Sequence, residues 1–124
     1  MLDEEISNEE ILYRAVSFNP NLWSTQENRP SSAVFKDSKG VSVDRNGKRE
    51  ESEIIENLKS RFELKAILSI SALECREIET CPISDPLPDN IYHALILESE
   101  DKISISSGKA RKLVKKASVV IKFD

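Results

Sequence analysis

The chain has 124 residues, of which 39% are apolar and 32% are charged, and its formal net charge is −4. This length and composition fit one globular domain with its own core and exclude an intrinsically disordered chain. No apolar run approaches the roughly 20 residues that a membrane-spanning helix needs. We therefore expect a single domain over residues 1–124 and no membrane partner. Residues 1–8 could be a mobile acidic N-terminus of this domain.

Hydrophobic periodicity predicts strands and helices that follow one another irregularly. The predicted strands cover 11–17, 33–35, 41–43, 65–70, 91–98 and 118–123. The predicted helices cover 51–62, 71–78 and 108–117. Because this order is too irregular for a doubly wound sheet, we expect an α+β fold. Its sheet is mixed or mostly antiparallel, and two or three helices pack against it.

Capping patterns mark where two helices begin. Ser71 and Glu74 have the spacing of a capping box, which predicts the start of the second helix. Ser7 and Glu10 have the same spacing, so a helix from Ser7 competes with the first predicted strand.

The segment after the second helix predicts a connection, a central strand and its partner. Prolines hold 81–90 as a turn-rich connection. Residues 91–98 are apolar on both faces, which is typical of a central strand, and alternation predicts 102–106 as its hairpin partner. A single core is expected from Ile54, Leu58, Leu68, Ile70, Leu95 and Leu97.

The N-terminal charge and the cysteines bear on the compartment. A secretory signal begins with positive charge and an apolar stretch, whereas this chain has Asp3, Glu4 and Glu5 near its start. Two cysteines, Cys75 and Cys81, without an export signal are typical of a reducing compartment. A zinc site needs more ligands than these cysteines and one histidine supply. We expect a cytoplasmic protein with two free thiols, no cofactor and no metal.

Three short motifs occur in a fixed order. They are R-P-S-S-A-V-F-K-D over 29–37, S-V-D over 42–44 and H-A at 93–94. In this order they resemble small bacterial proteins to which no activity is assigned, and the resemblance extends over most of the chain. It implies a bacterial origin and no particular chemistry.

Arg14 is a candidate because it shares a strand face with Leu12 and Val16. A buried guanidinium on that face needs an anion or a carboxylate as its partner. An internal pair with Asp44 is the structural alternative to a ligand.

Two further sets of polar residues could act on a ligand. Arg29, Ser31 and Ser32 flank a rigid proline, which could present their donors to a phosphate. His93 is the only histidine, so acid–base chemistry at neutral pH would depend on it. Its alternation with Leu95 places it on an apolar face, which favours a core residue instead.

The last predicted helix is strongly basic. Its cations are Lys109, Arg111, Lys112, Lys115 and Lys116. They surround a narrow apolar stripe, and such a face is usually only solvated. A functional face of this kind would bind phosphates or an acidic protein surface. Nucleic acid is the weaker possibility, because the aromatic residues on which bases stack are absent.

The segment 106–109, S-S-G-K, precedes this helix and resembles the end of a phosphate-binding loop. Ile103 replaces the first glycine of that motif and Ala110 replaces its serine or threonine, which excludes nucleotide hydrolysis by this route. A simple anion site at the helix N-terminus remains possible.

We expect a small non-catalytic binding or accessory module whose partner is a protein, and its complementary charges also allow a homo-oligomer. The predicted binding residues are Arg29, Ser31, Ser32, Lys109, Arg111, Lys112, Lys115 and Lys116. The alternative is an enzyme acting on a nucleotide or nucleic acid, by ADP-ribosyl transfer or RNA cleavage. Its catalytic residues would be His93, Arg14, Arg29 and Ser32. The enzyme requires Arg29, Ser32 and His93 in one cleft, whereas the binding module does not.

Overall fold

An antiparallel sheet with helices on both faces forms the framework of the protein. The computed structural model describes residues 2–123. The strands are β1 (Ile11–Val16), β2 (Trp23–Ser24), β3 (Arg29–Pro30), β4 (Val41–Arg45), β5 (Ala66–Ser71), β6 (Cys81–Ser84), β7 (His93–Leu97) and β8 (Ser118–Lys122). The helices are α1 (Glu51–Arg61), α2 (Ala72–Glu77) and α3 (Ser107–Lys116), and 3₁₀ turns cover Pro20–Leu22 and Ser32–Phe35.

The main sheet has six strands in the order β6-β7-β4-β1-β5-β8, and each neighbouring pair is antiparallel. The short strands β2 and β3 pair separately. The predicted α+β fold with an antiparallel sheet and packed helices is therefore confirmed. Within residues 2–123, no helix is long and apolar enough to cross a membrane.

Two cores lie on opposite faces of the sheet. The first face is covered by α2, α3 and the 3₁₀ turn Ser32–Phe35, and its core includes Leu12, Phe35, Leu68, Ile96 and Leu113. The second face is covered by α1, and its core includes Tyr13, Ile54, Leu58 and Ile67. The prediction of a single core is wrong, because alternation along the strands sends its members to both faces. Leu95 and Leu97 are only half-buried and belong to neither core.

The predicted strand at 33–35 is a 3₁₀ turn in the structure. Adjacent residues of a strand point to opposite faces. The turn instead lets Val34 and Phe35 both enter the first-face core, where they are 1% and 0% exposed.

The connection predicted over 81–90 begins with a strand, β6, which pairs with β7 at the sheet edge. An edge strand tolerates Pro82, because one side of its backbone needs no partner. The neighbours of β7 are therefore β6 and β4. The hairpin partner predicted at 102–106 forms no strand, although Glu98 N–H donates to Ile103 O at 3.2 Å. The chain turns tightly after β7, where Ser99 N–H donates to Lys102 O at 3.0 Å, and then leaves the sheet.

The segment before β1 packs against the domain through two arginines. Arg45 is buried, pairs with Glu10 at 2.7 Å and donates to Asp3 O at 2.6 Å. Arg76 donates to Ile6 O at 2.6 Å, and the Ile6 side chain is buried in the first-face core. Residues 3–10 are thus held at several points along their backbone.

The two cores predict how truncations affect stability. Leu58→Ala and Leu68→Ala each remove a fully buried side chain, so we expect each to lower the free energy of unfolding by about 2–5 kcal/mol. Leu95→Ala, at a half-buried position, should cost less than either. Urea denaturation of the three variants measures this, and an equal loss at Leu95 would contradict the assignment of the cores.

The cysteines predict a pattern of alkylation. Both are free thiols, as expected. Burial raises the pKa of Cys75 to about 12, and burial also raises that of the less enclosed Cys81. Because the thiolate is the reactive form, native protein should react slowly with iodoacetamide, and at Cys81 first. Peptide mapping by mass spectrometry identifies the site. Protein unfolded without reductant should be modified at both thiols, and a mass two daltons low would contradict this.

Candidate functional site

Two concave surfaces contain most of the residues predicted to be functional. The polar cavity, of about 690 Å³, lies on the second face between the end of α1 and the loop 85–92. The basic groove, of about 510 Å³, lies between residues 24–32, α3 and β8.

The predicted residues divide between these surfaces. Arg14 and His93 line the polar cavity. The groove is lined by Arg29, Ser31, Ser32, Arg111 and Lys115. The prediction that Arg29, Ser32 and His93 share one cleft is therefore wrong. The reason is topological, because the 3₁₀ turn after β3 covers the first face of the sheet whereas His93 lies on the second.

Packing of the Ser32–Phe35 turn and α3 against the same core forms the basic groove. Arg111 and Lys115 are four residues apart, so they lie one helical turn apart on the same side of α3. The floor between them and β3 is apolar and consists of Pro30, Val114, Ala117 and Val119. Two segments that sequence analysis identified separately, 29–32 and 109–116, thus form one surface.

The cations of α3 differ in how much they are already engaged. Within residues 2–123, Arg111, Lys112, Lys115 and Lys116 make no ion pair or hydrogen bond. Arg29 pairs with Glu27, but both side chains are more than half exposed, so the pair is weak. The Ser31 hydroxyl donates to Asn21 O at 2.5 Å and so holds the groove wall. Lys112 and Lys116 do not line the groove.

A carboxylate of the same chain, that of Glu98, lies beside the start of α3. The Ser106 hydroxyl accepts from Lys109 N–H, which caps the helix. The Glu98 carboxylate accepts from Ser106 N–H at 2.8 Å and pairs with Lys109 Nζ at 2.8 Å. These hydrogen bonds, that from Lys109 first, lower the pKa of Glu98. An internal carboxylate therefore lies beside the predicted anion site, and Lys109 is already paired with it.

A buried carboxylate, Asp44, joins the walls of the polar cavity. It is 5% exposed and accepts from Arg61 Nη2 at 2.7 Å, at the end of α1. It also accepts from Asn90 Nδ2 at 3.0 Å, in the loop 85–92, and lies 3.9 Å from Arg49. Both carboxylate oxygens of Asp44 accept a hydrogen bond, so this side chain holds the walls of the cavity together.

Arg14 does not pair with Asp44, contrary to the structural alternative considered from the sequence. Its Nε donates to Val34 O at 3.0 Å, and its Nη1 donates to Ser42 O at 2.9 Å. The pairing of β1 with β4 extends only from Leu12 to Tyr13, so Arg14 lies where the two strands separate. It satisfies backbone carbonyls there instead of binding a carboxylate.

His93 shares its face of β7 with Leu95, as alternation predicted, but it is not a core residue: it lines the cavity and belongs to neither core. Its Nδ1 lies 2.9 Å from Asp85 O and 3.1 Å from Asp85 Oδ2. Its Nε2 lies 3.2 Å from Ser42 Oγ. Sequence analysis missed Ser42 and Asp85. Ser42 lies in the S-V-D motif, but only the β4–β7 pairing brings it to the histidine.

Within residues 2–123, no three His, Cys, Asp or Glu side chains cluster as a metal site would require. No protein-family model, curated protein or solved structure matches the chain.

The Glu98–Lys109 pair predicts a pH dependence of stability. Folding lowers the pKa of Glu98 below its ordinary value of 4.5. The ionised carboxylate therefore stabilises the folded protein above pH 4.5, and this stabilisation is lost as the pH falls through the pKa of the folded state. Wild type should be more stable than Lys109→Met at neutral pH, and this difference should shrink below about pH 4.5. Thermal melting across pH 3–7 measures it. Lys112→Met, which loses no partner, should show no such convergence.

Proposed function

We propose that the protein is a small binding or accessory module that recognises an acidic segment of a partner protein in the basic groove. The observation that supports this is the convergence of Arg29, Arg111 and Lys115 around an apolar floor. A cationic rim over apolar surface favours a chain that carries both carboxylates and apolar side chains.

The free cations strengthen this proposal. Arg111 and Lys115 have no internal partner within residues 2–123, so a ligand carboxylate would not have to displace one. Arginine binds a carboxylate with two parallel hydrogen bonds, which adds orientation to the attraction. Glu27 is the acidic residue of the groove, and its exposed pair with Arg29 can exchange for a ligand at small cost.

A protein partner is favoured over nucleic acid by what the groove lacks. Among residues 2–123, no aromatic side chain lines it, so bases would find no stacking platform. The alternative, an enzyme acting on a nucleotide or nucleic acid, required Arg29, Ser32 and His93 in one cleft. Arg29 and Ser32 line the basic groove whereas His93 lines the polar cavity, so that alternative loses its support.

We also infer that the protein acts in the cytoplasm. Free thiols at Cys75 and Cys81 support a reducing compartment.

Charge reversal tests the groove. The ligand is a fluorescein-labelled 12-residue peptide in which glutamates surround two leucines, and binding is followed by anisotropy at low and moderate salt. Arg111→Glu/Lys115→Glu should weaken binding roughly tenfold or more, because like charges then oppose the peptide.

The matched control is Lys112→Glu/Lys116→Glu, which makes the same change of net charge on the same helix outside the groove. It should weaken binding much less. Equal weakening by both double variants would mean that only overall charge attracts the peptide and would refute the groove. Tighter binding of an oligonucleotide of equal charge would refute the choice of a protein partner. Sedimentation of the unliganded protein shows whether a second copy fills the groove instead.

A further inference from the structure

Beyond binding in the basic groove, we propose that the polar cavity is the active site of an acyl hydrolase. In this proposal Ser42 is the nucleophile, His93 is its general base, and Asp85 orients the imidazole. Ser42 lies on β4, His93 lies on the adjacent strand β7, and Asp85 follows the last residue of β6 on the other side of β7.

The hydrogen bonds around His93 determine its tautomer. Both groups near Nδ1, Asp85 O at 2.9 Å and Asp85 Oδ2 at 3.1 Å, are acceptors, so Nδ1 carries the proton of the neutral ring. The lone pair is then on Nε2, and the Ser42 hydroxyl donates to it across 3.2 Å. A serine that donates to an imidazole, itself oriented by a carboxylate, is the arrangement that activates a nucleophile.

Backbone pairing holds this arrangement in place. Asp44 and His93 are paired between β4 and β7, and Ser42 is two residues from Asp44 on the same face, within diagonal reach of the ring. Asp85 N–H donates to His93 O at 3.0 Å, which fixes Asp85 beside His93. Groups placed by a sheet ladder keep their geometry better than groups on free loops.

The cavity gives a substrate access and suggests its class. Its volume of about 690 Å³ is in the range of small-molecule sites, and Ser42 is exposed in it. Leu58, Phe62 and Leu87 provide apolar walls that suit an acyl chain. Arg61 lines the same cavity, and its Nη1 has no hydrogen bond within residues 2–123. Arg61 Nη2 is paired with Asp44, so Nη1 is the donor that remains for the oxyanion that forms when an ester carbonyl is attacked. We assign the site to small carboxylic esters with an apolar acyl group.

The proposed hydrolysis has two steps, acylation of Ser42 and then hydrolysis of the acyl-serine. Ser42 Oγ forms a bond to the acyl carbon while its proton passes to His93 Nε2, and that proton then leaves with the alcohol as the ester C–O bond breaks. Water next attacks the acyl carbon while His93 Nε2 takes one of its protons. That proton passes to Ser42 Oγ as the bond between the acyl carbon and Oγ breaks, and the carboxylic acid leaves and gives its remaining acidic proton to solvent.

A fluorophosphonate reagent tests the nucleophile directly, because it bonds to an activated serine with loss of fluoride. We expect mass spectrometry to find the label on Ser42 and no label in Ser42→Ala. His93→Gln should slow labelling about 100-fold or more, since it removes the general base. The same variants should lose hydrolysis of p-nitrophenyl butyrate. Asp85→Asn should have a smaller effect, because the Asp85 carbonyl still accepts from Nδ1.

The control is Ser69→Ala, a serine on β5 outside the cavity, which should label like wild type. Circular dichroism and melting establish that each variant is folded. Labelling at other serines, or equal labelling of Ser42 in the folded His93→Gln variant, would refute the proposal and leave the Ser42–His93 contact as structural. Binding in the groove is measured separately, so either proposal can fail alone.

Discussion

The buried carboxylate of Asp44 is the constraint on which the second face depends. Its partners come from three separate segments, the end of α1, the loop 85–92 and the turn after β4. A desolvated charge whose partner is removed is strongly unfavourable, so these segments stay together or the carboxylate is left uncompensated. The end of α1 and the loop 85–92, which form two walls of the polar cavity, are both tied to this one group.

Arg14 connects the two surfaces through the interior. Its guanidinium joins the Ser32–Phe35 turn, which forms a wall of the basic groove, to Ser42, which lies in the polar cavity. Burial lowers the pKa of Arg14, and the nearby charge of Asp37 opposes this shift. The groove and the cavity lie on opposite faces of the sheet, yet the Arg14 side chain donates to a backbone carbonyl at each of them.

The sequence predicted local structure better than it predicted sites. The apolar spacing of α1 and the Ser71–Glu74 capping box act within one turn of helix, so they could be read directly. The strand β6 was missed because prolines usually end strands and only its edge position permits one. Arg29 and the cations of α3 were identified by local charge, but packing alone brings them together. Ser42 and His93 are 51 residues apart, and their contact depends on strand order, which no local pattern contains.

The strand order also has a consequence for how the chain reaches this fold. Only β6 and β7 are joined by a short connection, and every other neighbouring pair in the sheet links distant parts of the chain. Such pairings form slowly, because long loops must close before any contact compensates for their lost entropy. The outer edge of β5 remains unpaired until residues 118–122 have left the ribosome. A nascent chain therefore presents an open, strongly apolar strand edge, and chaperones that shield such edges would act in this interval.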